Sequence, residues 1–96
     1  MGAKFPSLEY EENYALLYLQ LGEAVYLHQP DSALVYFERS AKSCEQLLQK
    51  TKSETKNIKS IYANACNNTG YISKMQGDIP KALSCFTAAE KIFLEI

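Results

Sequence analysis

A glycine, an alanine and a phenylalanine recur in this chain at nearly one spacing, and that spacing leaves few folds open. The first copy reads Tyr18-x-x-Leu21-Gly22-x-x-Val25, then Ala33-x-x-x-Phe37; the second reads Cys66-x-x-Thr69-Gly70-x-x-Ser73, then Ala82-x-x-x-Phe86. Gly22 and Gly70 are 70 − 22 = 48 positions apart, and Phe37 and Phe86 are 86 − 37 = 49 apart. Glycine inside a helix costs about 1 kcal/mol relative to alanine, so it needs a reason, and close approach of a second helix is one. Repetition at such a period is the mark of stacked helix pairs, which usually bind other chains rather than carry out chemistry.

The rest of the chain fits helices. Only 4 Gly and 3 Pro are present, and they fall where apolar periodicity stops. Ser7 is a candidate cap for a first helix over about 8–28, with Tyr14, Leu17, Tyr18, Leu21 and Val25 at three- and four-residue steps. Leu16, Leu19, Tyr26 and Leu27 give that helix a second apolar stripe, so it packs on two sides or leaves a sticky groove. Asp31 is the expected cap of a second helix over about 31–50, whose buried stripe is Ala33, Phe37, Ala41, Cys44 and Leu48. Thr51-x-x-Glu54 has capping-box spacing and Ser53 competes with it; the third helix is expected over about 53–76 with a core face of Ile58, Ile61, Tyr62, Ala65, Thr69 and Ile72. Gly77 ends it, Asp78 caps a fourth helix over about 79–95, and Pro80 occupies the first turn, where a missing N–H costs nothing. Its stripe is Ala82, Phe86, Ala89 and Phe93, and Ile92 to Ile96 leave apolar surface at the end.

These signatures resemble the tetratricopeptide repeat, in which each repeat is an antiparallel helix pair closed over a small residue. The resemblance covers residues 12–96, with the stretch Asn68 to Phe86 the stronger match. It implies an all-α, TPR-like superhelix of two hairpins in a single domain, 1–96, with repeat one over about 12–50 and repeat two over about 53–96 of a longer array. Two departures stand out. Gly22 to Ala33 is 33 − 22 = 11 against 82 − 70 = 12 in the second copy, and the period exceeds the family's usual length of about 34 residues. Long repeats of this sort are similar to those of kinesin light chains and of bacterial peptide-sensing regulators.

The resemblance also implies a concave groove lined by the first helix of each pair. On the third helix Asn64, Asn67, Asn68, Tyr71, Lys74 and Met75 recur at groove spacing. Asparagine competes with backbone hydrogen bonds and is a mediocre helix former, yet its amide can pair with an extended peptide backbone of any sequence; a plain solvated face is the alternative. Leu19, Glu23 and Tyr26 are the matching candidates on the first helix. The lysine–asparagine clamp of chaperone-binding members is not matched, because Leu19 and Glu23 stand in its first-helix places and only Asn68 agrees.

The expected function is therefore a protein- or peptide-binding scaffold without catalytic residues, cofactor or metal. Alternatives are a self-association element that uses the exposed terminal helices, or the sensory region of a bacterial transcriptional or two-component regulator. A net charge of −1 calls for neither nucleic acid nor an anionic membrane, and no apolar run reaches the roughly 20 residues that span a bilayer. The acidic start (Glu9, Glu11, Glu12) and the basic middle (Lys42, Lys50, Lys52, Lys56, Lys59) read as solvated faces or a docking patch for an acidic partner. Three cysteines without paired spacing read as buried free thiols, which fits a reduced, cytoplasmic setting, and the opening residues lack the apolar stretch of a signal peptide. The single histidine, His28, has no metal-ligand spacing to an acid or thiol.

Overall fold

The computed structural model describes residues 6–51 and 55–96, with side chains described from residue 11 onward. The fold is all-α. Four helices, α1 (Pro6–Val25), α2 (Pro30–Lys50), α3 (Lys56–Met75) and α4 (Ile79–Glu95), follow one another, and no strand occurs among the described residues. α1 pairs with α2 and α3 with α4 as hairpins; α3 then lies mainly on α2 and touches α1. The Cα extents are 49 × 28 × 15 Å. A helix with its side chains is about 10–12 Å across, so a body this thin leaves every helix an open side.

Local chemistry sets the helix ends, and it differs along the chain. At Gly77 the backbone turns left-handed (φ 87°), Gly77 N–H donates to Lys74 O (3.1 Å) and Asp78 N–H donates to Ser73 O (2.8 Å). These two bonds satisfy carbonyls that the end of α3 would otherwise leave orphaned. Asp78 Oδ1 accepts from Lys81 N–H at 3.3 Å and Pro80 sits in the first turn of α4, as the sequence predicts. The first connection is made otherwise. α1 stops at Val25, where Gln29 N–H donates to Val25 O (2.7 Å), and Gln29 rather than Asp31 is the N-cap of α2, without a side-chain bond. Asp31 lies inside the first turn instead, and its Oδ1 accepts from Gln76 Nε2 at 3.1 Å, tying the start of α2 to the end of α3.

α1 begins at Pro6, so Ser7 lies within the helix rather than capping it. α3 begins at Lys56 after a Thr55 cap that makes no side-chain bond. Ser53 and Glu54 of the expected caps lie outside the described residues, as do Lys52 and residues 1–5. Two of the lysines in the basic middle are paired: Lys50 with Glu11 at 2.7 Å and Lys59 with Glu95 at 3.2 Å.

One apolar cluster joins Ala15 and Leu19 of α1, Ala33, Phe37, Cys44 and Leu47 of α2, and Ile58, Ile61, Ala65 and Ile72 of α3. Its α2 stripe includes Ser40 and Leu47 as fully buried positions, whereas the expected Ala41 and Leu48 are only partly covered. A serine is tolerated there because Ser40 Oγ donates to Ala15 O at 2.7 Å across the hairpin. The buried side of α1 also differs from expectation. Ala15, Leu19 and Gly22 face inward, and Tyr14, Leu17 and Leu21 are exposed.

Candidate functional site

Where α3 touches α1, residues of both helices and of α2 enclose a cleft of about 240 Å³ lined by Glu23, Tyr26, Phe37, Asn68 and Tyr71. Helical spacing produces it. Glu23 and Tyr26 are three residues apart on α1, Asn68 and Tyr71 three apart on α3, so each pair shares a face. The floor comes from α2. Gly22 has no side chain, which lets the Phe37 ring lie against the backbone of α1 and reach the cleft.

The walls combine acid, amide and aromatic groups. Asn68 Nδ2 donates to Glu23 Oε2 at 3.5 Å, the outer limit of a hydrogen bond, so a better-placed donor can displace it. The Tyr26 and Tyr71 rings meet edge to face, with centroids 6.4 Å apart and planes at 73°. Glu23 differs from the acids around it. Glu11, Glu38 and Glu95 pair with lysines, Glu45 accepts from the Tyr62 hydroxyl and Asp31 from Gln76. Among the described residues Glu23 faces only the neutral Asn68 amide.

The other candidate residues scatter. Leu19 is 5% exposed and belongs to the cluster that joins α1, α2 and α3, so its expected place on an open groove is corrected. Asn67 faces away from the cleft, into a separate hollow beside α4. Asn64 is half-buried, and Lys74 and Met75 are exposed further along α3, outside the cleft lining. Phe37 is the lining residue that the sequence reading assigned only to the hairpin seam. The glycine opposite it was the available signal, since the space a missing side chain leaves opens toward the cleft as well as the seam.

A second hollow, of about 280 Å³, lies on the far side between α2 and the second hairpin. On its rim Lys81 Nζ donates to Glu38 Oε2 at 3.0 Å, and Glu45 accepts from the Tyr62 hydroxyl. The three thiols are free. Burial pushes Cys44 up to about 12 and Cys66 up to about 11, and Cys85 is also raised, first by burial. Tyr62 is held well above its ordinary value, first by burial and then by its 2.7 Å hydrogen bond to Glu45. His28 is exposed in the turn after α1. Among the described residues no group of His, Cys, Asp and Glu is placed to hold a metal ion, and no helix is long and apolar enough to cross a membrane. No protein-family model matches the chain, and no curated protein or solved structure is significantly similar to it.

Proposed function

We propose that the chain is a protein-binding helical-repeat module of the tetratricopeptide type, and that the α1/α3 cleft holds an extended segment of a partner protein. A lysine or arginine of that segment sits against Tyr26 and Tyr71 with its charge on Glu23. The observation that carries this reading is Glu23 itself, a carboxylate that lines the cleft with two tyrosines and pairs with no cation among the described residues. A cation over an aromatic face gains about 0.5–2 kcal/mol depending on how dry the site is. The guanidinium or ammonium would replace the long Asn68 bond, freeing that amide to pair with the ligand backbone. Two features support the repeat assignment: each hairpin places its glycine under the ring of its phenylalanine, and each glycine opens the same kind of seam. Three free thiols accord with a reduced, cytoplasmic setting.

A positional-scanning octapeptide pool, acetylated and amidated, tests the reading when captured by immobilised protein. Wild type selects Lys or Arg at one position, and Glu23→Gln removes that selection. Recovery of no peptide, or the same preference from Glu23→Gln, would show that the cleft is not the site.

A further inference from the structure

The residues exposed at the two ends of the molecule stand at the repeat positions of a seam that the molecule contains once, between its two hairpins. Within one copy, α3 covers the first hairpin over Leu19, Phe37 and Cys44, all buried. Moving along the chain by the repeat offsets, 48 for first helices and 49 for second helices, turns these into Asn67, Phe86 and Phe93. Those residues, with Leu83 and Leu94, line an open hollow of about 470 Å³ on the second hairpin, where nothing among the described residues takes the place of α3. Leu83 and Leu94 are 61% and 82% exposed.

The opposite end shows the complementary half. On α3, Tyr62 packs against the core and Ala65 and Thr69 are buried against the first hairpin. Their counterparts 48 residues earlier are Tyr14, Leu17 and Leu21, all exposed, with Leu17 at 48%. Leucines stand where α3 has an alanine and a threonine, and Phe93 stands where the first hairpin has Cys44, so apolar side chains are larger on both open faces than at the seam within one copy. It is also ordered. Tyr14, Tyr18 and Tyr36 stack in a row with centroids 6.1 and 6.2 Å apart, and the chain's single arginine, Arg39, lies over the Tyr18 ring at 5.7 Å.

Within one copy Ala41 of α2 shares a hollow with Cys66 of α3. Their counterparts are Glu90 on the open hollow and Tyr18 on the open face. Stacking a second copy in the same geometry places Glu90 of one chain beside the face of the other that carries Tyr18, with Arg39 over its ring.

We infer that copies of this chain associate head to tail, the Tyr14–Leu17–Leu21 face of one seated in the Leu83–Phe93–Leu94 hollow of the next, as α3 sits on α1 and α2 within each copy. Such a contact joins unlike surfaces and need not close, so assemblies grow with concentration. Exposed apolar surface at both ends is what drives it. Neither face includes the α1/α3 cleft, and either activity can be lost without the other.

Sedimentation velocity from about 10 µM to about 1 mM tests this, because association follows mass action. Wild type at least doubles its weight-average mass over that range. Leu17→Glu and Leu83→Glu, each at an exposed position, stay monomeric alone. Mixed in equal amounts they form a capped dimer, since each retains the face the other lacks. Exchanging the charges, Arg39→Glu with Glu90→Arg in one chain, restores association that either change alone weakens. A wild type that remains monomeric, a mixture that does not pair, or a single leucine variant that still dimerises would overturn the inference.

Discussion

A Cβ at Gly22 would collide with Cε1 of Phe37, so the ring occupies the space an alanine would need. Gly70 and Phe86 repeat the relationship: a Cβ at Gly70 would lie 2.9 Å from Cε1 of Phe86 and 3.2 Å from the Ala82 carbonyl oxygen. The two rings differ in freedom. Phe37 is 1% exposed, whereas Phe86 borders the open hollow and is only partly covered. Gly22→Ala therefore forces an immobile ring, at a cost of about 1–3 kcal/mol for overpacking against roughly 1 kcal/mol gained in helix propensity. At Gly70 the ring can swing outward and the two effects come closer to cancelling. Thermal unfolding followed by circular dichroism checks the order: Gly22→Ala melts lower than Gly70→Ala. Equal midpoints would mean the rings are alike in freedom.

Two buried serines act in opposite ways. Ser40 Oγ donates to Ala15 O across the first hairpin, while Ser73 Oγ is buried without a hydrogen-bond partner among the described residues. Removing the first hydroxyl leaves a buried carbonyl short of a bond and costs about 1 kcal/mol. Removing the second relieves a desolvated group and adds helix propensity of up to about 0.5 kcal/mol. Ser40→Ala should lower the urea midpoint and Ser73→Ala should raise it or leave it unchanged. A reversed order would contradict the assigned bonding.

Stability is expected to fall as pH rises above about 9. Cys44 and Cys66 have folded values of about 12 and about 11 against an ordinary 9.0. Unfolded thiols lose their protons near pH 9 while the buried ones keep theirs, so the native state binds more protons and the stability slope is negative through this window. Tyr62 and Lys81 are both raised as well and act in the same direction, Tyr62 mainly through burial and Lys81 mainly through its hydrogen bond to Glu38. Urea titrations at pH 8, 9 and about 10.5 read this directly. A midpoint that rose above pH 9 would mean that the thiols are not sheltered.

The cleft and the core separate by substitution. Tyr71 and Glu23 are exposed, so Glu23→Gln leaves the melting temperature within the noise of a surface change, about 0.5 kcal/mol. Tyr71→Ala gives up the edge-to-face contact with Tyr26, about 0.5–1.5 kcal/mol. Loss of the folded state in either variant would place these side chains in the core.

How much of this was legible before the fold was known varies along the chain. The helices from Gly70 onward follow from local signals, because Gly77, Asp78 and Pro80 act within a few residues of themselves. The first turn was misread at Asp31, whose carboxylate is used by Gln76, a residue 45 positions away that no local rule consults. α1 is apolar around most of its circumference, so periodicity could not say which side α3 would cover. Leu19 went to the core and Leu17 and Leu21 stayed outside. Ser40 was missed because a serine on an apolar stripe reads as a break until its acceptor, Ala15 O, is in view. At the cleft, Glu23, Tyr26, Asn68 and Tyr71 were legible as faces of single helices. Their meeting depends on where α3 settles against α1, which is a property of packing.

The most direct measurement is a chemical-shift titration of isotope-labelled protein with an acetylated, amidated octapeptide pool carrying arginine at its centre. Saturable shifts are expected, confined to the amides of Glu23, Tyr26, Asn68, Tyr71 and their neighbours, and absent in the Glu23→Gln protein. Shifts centred instead on the Leu83–Leu94 hollow, or no shifts at all, would contradict a binding cleft between α1 and α3.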